Sequence, residues 1–448
     1  MTPFPYAAPT TWHRTRIRFC IDSSKNGAWG AEPGGAEKDV VCVRVADFDW
    51  ERLTVNLRDH TVRSISHDQF RKLALRRGDI LIEKSGGGEK TPVGRVVRFE
   101  EDIEAITSNF VARLRPSHGV LSPYLSYLLV ALYLSKYSHQ FIKQNTGIQN
   151  LDDAALFSTS VHIPDHDTQR AIADFLDYKT ARLDQLIEKK QRMVKLLAEK
   201  HRSQTTAVVT RGLNPLAKMS PTGMECLAEA PSHWRVRRIA SLYSEADEMG
   251  HEGLPVLSVS IHWGISDREL GDEDRHRIVN HIEDKTSYKR VRPGDLVYNM
   301  MRAWQGAFGV TLIDGLVSPA YVVARPKENI HSSYFEPLLR TPMWIEEFRR
   351  ASKGIADFRQ RLYWEHFRQV RVVLPPWAEQ VAIAEKVRAS ATEFERLLIP
   401  IEKSLDLLRE FRSSLITAAV TGQIDVTTWG KRGTIDRRME AIEVEAMS

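Results

Sequence analysis

Cysteine is scarce and unpatterned in this chain. Cys20, Cys42 and Cys226 share no paired spacing, which argues against a zinc ribbon or a disulfide framework and suits a reducing compartment. Met1–Arg14 holds no apolar signal core. The most lipophilic run, Leu125–Leu134, is far shorter than the roughly 20 residues a bilayer span needs. A cytoplasmic protein without a membrane partner is expected. Charge of one sign is not in excess either: 63 Lys and Arg against 58 Asp and Glu leave +5 over 448 residues. No global polycation argument for a nucleic-acid partner is available.

Catalytic patterns are missing too. Gly86-Gly87-Gly88-Glu89-Lys90-Thr91 invites a phosphate-loop reading, but Glu89 separates glycine from lysine and the upstream glycine is absent. A flexible loop that lets the backbone approach a ligand such as DNA is the better reading. There is no dinucleotide fingerprint, no nucleophile elbow, no His-Glu-x-x-His and no Asn-Pro-Pro-aromatic sequence. No metal ligand set and no nuclease-like carboxylate cluster stands out, so no catalytic or metal residue is assigned.

What is present is a long internal repeat. Pro164, Gln169, Ala171, Ile172, Ala173, Leu186, Leu196, Leu197, Glu199, Ser203, Thr206, Ala207, Val209 and Thr210 recur as Pro375, Gln380, Ala382, Ile383, Ala384, Leu397, Leu407, Leu408, Glu410, Ser414, Thr417, Ala418, Val420 and Thr421. The offset never changes, so a unit of about two hundred residues is read as duplicated. Both copies have helical spacing. Pro376, Glu379 and Gln380 make a helix start, and Thr180 reads as a second one. Phe394, Leu397, Ile401, Leu408, Phe411 and Leu415 fall on one heptad seam that only Ser404 interrupts. The first copy has the weaker seam Leu183, Leu186, Lys190, Met193, Leu197, Lys200 and Gln204, widened by Ile187 and Val194. A helix from Thr180 to Thr210 would be ~46 Å long. Either the two helices belong to an ordinary core, or they pair as a coiled coil that holds two globular domains apart and binds partners.

Weaker matches extend the repeat into the globular parts: Pro9, Trp12, Arg16 and Ile17 with Pro231, Trp234, Arg238 and Ile239; Arg76, Gly78 and Asp79 with Arg292, Gly294 and Asp295; Ser108, Arg115, Pro116, Ser122 and Tyr124 with Ser318, Arg325, Pro326, Ser332 and Tyr334. Their offsets drift, which marks loops of changing length, where binding specificity is carried. Short apolar runs after Gly78-Asp79 and Gly294-Asp295 read as strands. Pro123–Gln144 and Tyr334–Ala351 read as helices. The expected class is mixed α/β. Its segments are a first globular domain (1–163), a helical spacer (164–215), a second globular domain (216–374), a second spacer (375–425) and a partly mobile tail (426–448).

Local basic charge is the remaining signal. Arg349–Arg371 holds seven basic residues against two acidic ones, interleaved with Phe348, Phe358, Tyr363, Trp364 and Phe367 around Gly354-Ile355. Arginine among aromatics suits phosphate and base-edge contacts; a solvated helix face over packed aromatics is an equal reading. Candidate DNA contacts here are Arg350, Lys353, Arg359 and Arg361. Arg302, Trp304 and Gln305 occupy the loop aligned with the glycine loop, which Lys84, Lys90 and Arg95 line. Lys143, Gln144 and Asn145 precede Gly147-Ile148. Lys179–Gly212 carries nine basic and three acidic residues, its copy Ser390–Gln423 four and five. Opposite bias favours pairing of the two helices, or places the first nearer to DNA or an acidic partner.

The order variable domain, Pro-x-x-x-x-Gln helix, variable domain, Pro-x-x-x-x-Gln helix carries a resemblance. With it go Gly78-Asp79-Ile80-Leu81 leading to Lys84-Ser85-Gly86-Gly87-Gly88, the run Gly294–Gly306, Val317-Ser318-Pro319-Ala320-Tyr321 and Thr210-Arg211-Gly212-Leu213-Asn214-Pro215. Together, over roughly Pro9 to Thr421, they resemble the specificity subunit of type I restriction-modification systems. His166-Asp167 departs from the usual apolar-acidic pair, and Pro400 is expected to bend the second helix. The resemblance implies two target-recognition domains that each read half of a split, asymmetric site in double-stranded DNA. It implies two helices, an antiparallel coiled coil in a pseudo-twofold repeat, that space the domains and dock two methyltransferase subunits. Restriction and translocase subunits join that complex. S-adenosylmethionine, ATP and Mg belong to those partners, with none in this chain and no catalysis of its own. Half-sites about one turn apart, ~34–36 Å, suit such a repeat. An unrecognised DNA-modifying enzyme and a coiled-coil scaffold without DNA specificity are the alternative readings.

Overall fold

The computed structural model describes the chain except residues 1–3, 5, 7, 35–37, 145–146, 251–252, 262–263, 267–286, 328, 355–359, 427–436, 438–440 and 443–448. It divides into two compact units. The first comprises Met1–Val194 and Ile399–Ser448, the second Lys195–Leu398.

In the first unit an antiparallel sheet runs in the order Ile21–Asn26, Val111–Pro116, Ile80–Glu83, Val96–Arg98. Alternation along Ile80–Glu83 sends Ile80 and Ile82 into one core and Leu81 into another with Val43, Phe99 and Val111. The first of these cores is filled by the helix Ser122–Leu134, buried on almost every side. Its lipophilic run is therefore core helix; among the described residues no helix is long and apolar enough to cross a membrane. A second sheet pairs Lys38–Val43 with Ala105–Thr107 in parallel and with Thr61–Ile65 antiparallel. His13–Arg16 pairs with Ser160–Ile163, the strand that leads into the first long helix, His166–Arg211.

The second unit has an antiparallel sheet in the order Tyr243–Ala246, Tyr321–Pro326, Leu296–Asn299, Phe308–Val310. Leu296 and Tyr298 point into its main core and Val297 into a smaller one. Arg235–Arg238 pairs with Arg371–Leu374 before the second long helix, Trp377–Val420.

Three sequence readings change. Thr180 starts no helix: its hydroxyl donates to the Leu176 carbonyl (2.7 Å) inside the continuous first helix, so it is satisfied without a cap. The helix expected over Pro123–Gln144 stops at Leu134, where the apolar run ends and Lys136 turns left-handed (φ 59). Ile142–Gln144 is a strand. Tyr334–Ala351 splits into Ser332–Leu339 and Pro342–Ala351, because Pro342 has no N–H to continue a helix and suits the first turn of a new one. Pro400 lies inside the second long helix, which continues on both sides of it. Of the tail 426–448 most lies outside the described residues, but Ile442 is buried in the first unit's core.

The repeated motifs turn out to be structural fasteners. Asp79 accepts the Arg76 N–H (2.8 Å) and takes both Nε and Nη2 of Arg115 (2.8 and 3.1 Å). Asp295 does the same with Arg292 N–H (2.9 Å) and Arg325 (3.1 and 2.9 Å). Buried Gln169 accepts the Leu121 N–H and donates to the Gly119 and Pro164 carbonyls. Gln380 accepts from His331 (3.0 Å) and donates to Pro375 (2.9 Å). The proline-to-glutamine spacing thus ties each long helix at its start to a distant loop, the one before Ser122–Leu134 in the first unit and the one before Ser332–Leu339 in the second. Gln380→Leu would strand the His331 N–H and the Pro375 carbonyl, at a cost of about 1–3 kcal/mol. Thermal unfolding of the variant checks this; an unshifted transition would deny the amide that role.

Each unit also holds the end of one long helix. In the first, the Tyr124 hydroxyl donates to the Val420 carbonyl (3.2 Å). In the second, Tyr334 donates to the Val209 carbonyl (3.1 Å). Gly212 and Gly422 end the helices left-handed (φ +78 and +74). A Cβ there would crowd Trp234 at 3.2 Å and Trp12 at 3.0 Å respectively. The repeated tryptophan and tyrosine are helix-end contacts.

Candidate nucleic-acid interface

In the first unit two stretches more than fifty residues apart meet beside the main sheet. Ser85–Gly86 pairs with Gln149–Leu151, which pairs in turn with Ile142–Gln144. The Ser85 hydroxyl bonds Asn150 (2.5 Å), and Gln149 accepts the Val93 N–H (3.1 Å). Gly87 has φ +61, and a Cβ on it would lie 2.6 Å from Val93 N. The close backbone approach expected of the glycine loop is thus made to the protein's own chain. Lys84, Lys90, Arg95, Lys143 and Gln144 all sit on or beside these strands; Asn145 lies outside the described residues.

Most of those cations are engaged. Lys84 pairs with Asp153 (2.9 Å), Lys143 with Asp152 (2.6 Å) and Arg95 with fully buried Glu83 (3.0 Å). The bond from Lys143, helped by the Ala155 N–H, holds the Asp152 carboxyl below its ordinary range. Lys90 is exposed and makes no ion pair with a described residue. Phe110 and Ile148 are exposed apolar residues on the same rim: Phe110 takes the Lys84 N–H (2.8 Å) on its carbonyl, and Ile148 precedes Gln149.

The second unit brings together the equivalent pieces. After Leu296–Asn299 the chain makes a short 3-10 turn, Ala303–Gln305, closed by Gly306 at φ +91. This turn lies on the helix Pro342–Ala351: a Cβ on Gly306 would lie 3.1 Å from Ile345. The Leu362 N–H donates to the Met300 carbonyl (2.9 Å), while Lys353 and Arg361 exchange backbone hydrogen bonds (3.0 and 2.9 Å). Arg302, Trp304 and Gln305 therefore share one rim with Lys353 and Arg361. Arg359 is outside the described residues.

Arg350 stands differently from the sequence expectation. Its guanidinium is taken by Glu225 (2.8 Å), Glu347 (3.3 Å) and Glu346 (3.7 Å). The neighbour that sequence reasoning passed over, Arg349, lies over the Trp304 ring at 5.5 Å. Helical spacing carried the signal, since adjacent residues of a helix cannot share a face. The interleaved aromatics split in the same way: Phe348, Trp364 and Phe367 are core, and Tyr363 is exposed.

The residues expected to bind partners also separate by burial. Leu183, Leu408 and Leu415 are core in the first unit, with Leu186, Ile401 and Phe411 packed at its edge. Leu197 and Phe394 are half-buried in the second unit, where Phe394 stacks on His201 (4.7 Å, 10° between planes). Met193 and Leu397 are exposed.

Residues 56–196 match the family described as the type I restriction modification DNA specificity domain. The Escherichia coli type I restriction enzyme EcoBI specificity subunit is 24% identical over 180 residues, 38% of this chain and 36% of that protein. The match thus spans about a third of the length of that curated relative. Among solved structures, a chain from work on complex assembly and conformational transition of the type I R-M system covers 94% of this chain and 100% of its own, at TM-score 0.65 and 15% identity. The HsdS subunit from Thermoanaerobacter tengcongensis aligns over 95% of this chain and 100% of its own at TM-score 0.47 and 16% identity. Residues 56–196 are thus similar to the type I restriction modification DNA specificity domain, and the chain as a whole shares the mixed helix and strand fold of the first of those structures.

Proposed function

We propose that this chain is the DNA-recognition subunit of a type I restriction-modification complex. Each globular unit reads one half of a bipartite, asymmetric site. The observation that carries this is the convergence, in both units, of the loop after the Gly-Asp strand with a later segment, Ile142–Leu151 in one and Lys353 with Arg361-Leu362 in the other, joined by Gln149↔Gly86 pairing in the first and the Leu362–Met300 bond in the second. Two polar loops on a sheet framework make a rim whose composition can change without disturbing the fold. Phosphate contacts there set position, and base-edge contacts set sequence.

The matching fasteners in the two units support descent by duplication. The long helices pair antiparallel as a coiled coil: in the second unit Gly212 lies by Glu379 while His201 lies by Ser390 and Phe394, so one number rises as the other falls. Exposed residues along them, Met193 and Leu397 among these, dock two methyltransferase subunits, and restriction subunits join that complex. The chain itself binds no cofactor and performs no catalysis. S-adenosylmethionine, ATP and Mg act on the partners, which methylate a base taken out of the stack.

The test is an exchange of residues 1–163 for those of a relative with a different target, followed by methylome sequencing of cells that carry the complete system. One half of a two-part motif should change and the other should persist. Change of both halves together would defeat independent reading, and complex formation without any sequence-selective methylation would favour a scaffold.

A further inference from the structure

We infer that Arg349, held on the face of Trp304, reads a guanine in the second half-site. This rests on the proposed DNA-recognition function and assigns one contact within it. Arg349 and Arg350 are adjacent, but their surroundings differ in kind. Three carboxylates surround Arg350. Among the described residues Arg349 pairs with Glu346 alone, at 3.8 Å, and its side chain is 52% exposed. Its guanidinium carbon also lies over the Trp304 ring, 5.5 Å from the centroid.

The ring is itself fixed. The Trp304 indole N–H donates to the Met301 carbonyl (2.9 Å), and Ala303 beside it is fully buried. Arginine over an aromatic face has its orientation set, while its N–H fork stays free at the edge. A fork held in that way matches the O6 and N7 acceptors that guanine alone presents together in the major groove. Arg302 and Lys353, on the same rim, make no ion pair with a described residue and are available for the flanking phosphates. A lysine at 349 could neutralise a phosphate but could not present the fork.

The experiment uses the chain expressed with its methyltransferase partner. Methylation rates are measured on DNA duplexes carrying each single base-pair change in the second half-site. Arg349→Ala should lower the rate on cognate DNA about tenfold or more and abolish discrimination at one G·C pair, with every other position of the motif unchanged. Arg349→Lys should not restore that discrimination. Arg350→Ala should leave the motif as it is. The inference fails if the second half-site contains no guanine, if Arg349→Ala methylates the same motif at the same rate, or if the loss is uniform across all sequences, as for a phosphate contact. Restored discrimination by Arg349→Lys also overturns it. If the unaltered chain gives no sequence-selective methylation, the proposed function falls first, and that outcome is separate from a selective complex indifferent to residue 349.

Discussion

Leu408→Asp is expected to unfold the first unit. Leu408 is fully buried in the core that also holds Leu183, Leu415, Ile416 and the helix Ser122–Leu134. Truncating such a leucine to alanine alone costs about 2–5 kcal/mol, and a carboxylate placed there without a partner adds several more. Against a usual stability of about 5–15 kcal/mol, little folded protein should remain. Met193→Asp is the counterpart. Met193 is 51% exposed, so its substitution should change stability by no more than about 0.5 kcal/mol while weakening recovery of the methyltransferase subunit. Circular dichroism melts and mass photometry of the co-expressed complex read the two effects separately. A soluble, cooperatively melting Leu408→Asp variant would contradict the assignment of Leu408 to the core.

Arg412→Met should cost about 3–5 kcal/mol. Arg412 lies on the second long helix and bonds Asp184 on the first (2.7 Å), with side chains only 10% and 15% exposed. It also donates to the Glu51 carbonyl. The loop around it holds the first helix again through Arg52–Glu188 (3.0 Å) and Gln191–Glu51 (3.1 Å). Burial holds the Asp184 carboxyl above its ordinary range, and Arg412 pulls against that. Removing Arg412 lets the folded-state pKa rise further above the unfolded one. The folded state then binds more protons than the unfolded state, so stability falls as pH rises through that interval. The deficit is therefore largest at neutral pH and shrinks on acidification. Pairing Arg412→Met with Asp184→Leu should recover most of it. Urea unfolding at two pH values decides: a deficit under about 1 kcal/mol at neutral pH, or one that does not move with pH, counts against the buried pair.

Much of the architecture is legible in the sequence because it is written in local spacing. Pro164 and Gln169, with Pro375 and Gln380, announce equivalent helix starts, and the apolar period announces helices. Asp79 and Asp295 each follow a glycine and precede an apolar run, which is enough to expect strands. Their purpose was not readable. That Gln169 reaches Leu121, or that Asp79 holds Arg115, depends on distances no local pattern encodes. Errors fell where a local signal had two uses. Thr180 looks like a cap, yet its hydroxyl is satisfied within the helix. Lys136 looks like one more helical residue, yet it follows the last apolar position.

The candidate interface was legible as a set of loops but not as a surface. Composition marked Arg349–Arg371 as basic, and Lys84, Lys90 and Lys143 as cations near glycines. Charge counting treats every arginine alike. The fold surrounds Arg350 with carboxylates, pairs Lys84 and Lys143 with aspartates, and leaves Arg349 on the Trp304 ring. Availability for a ligand follows from which opposite charges lie within a few ångströms, and those neighbours come from distant parts of the chain.

The sequence by itself determined the two long helices and the strands after each Gly-Asp turn, since each rests on residues within a few turns of one another, and it carries the repeat as a constant offset between matching residues. Tertiary structure alone decided which helix end each unit holds: Tyr124 meets Val420 across 296 residues, and Tyr334 meets Val209 across 125. It also decided which side of each heptad seam is core. A helical period fixes the angle between apolar residues around an axis, whereas the partner they are buried against is set by packing, which forms only when remote segments close together.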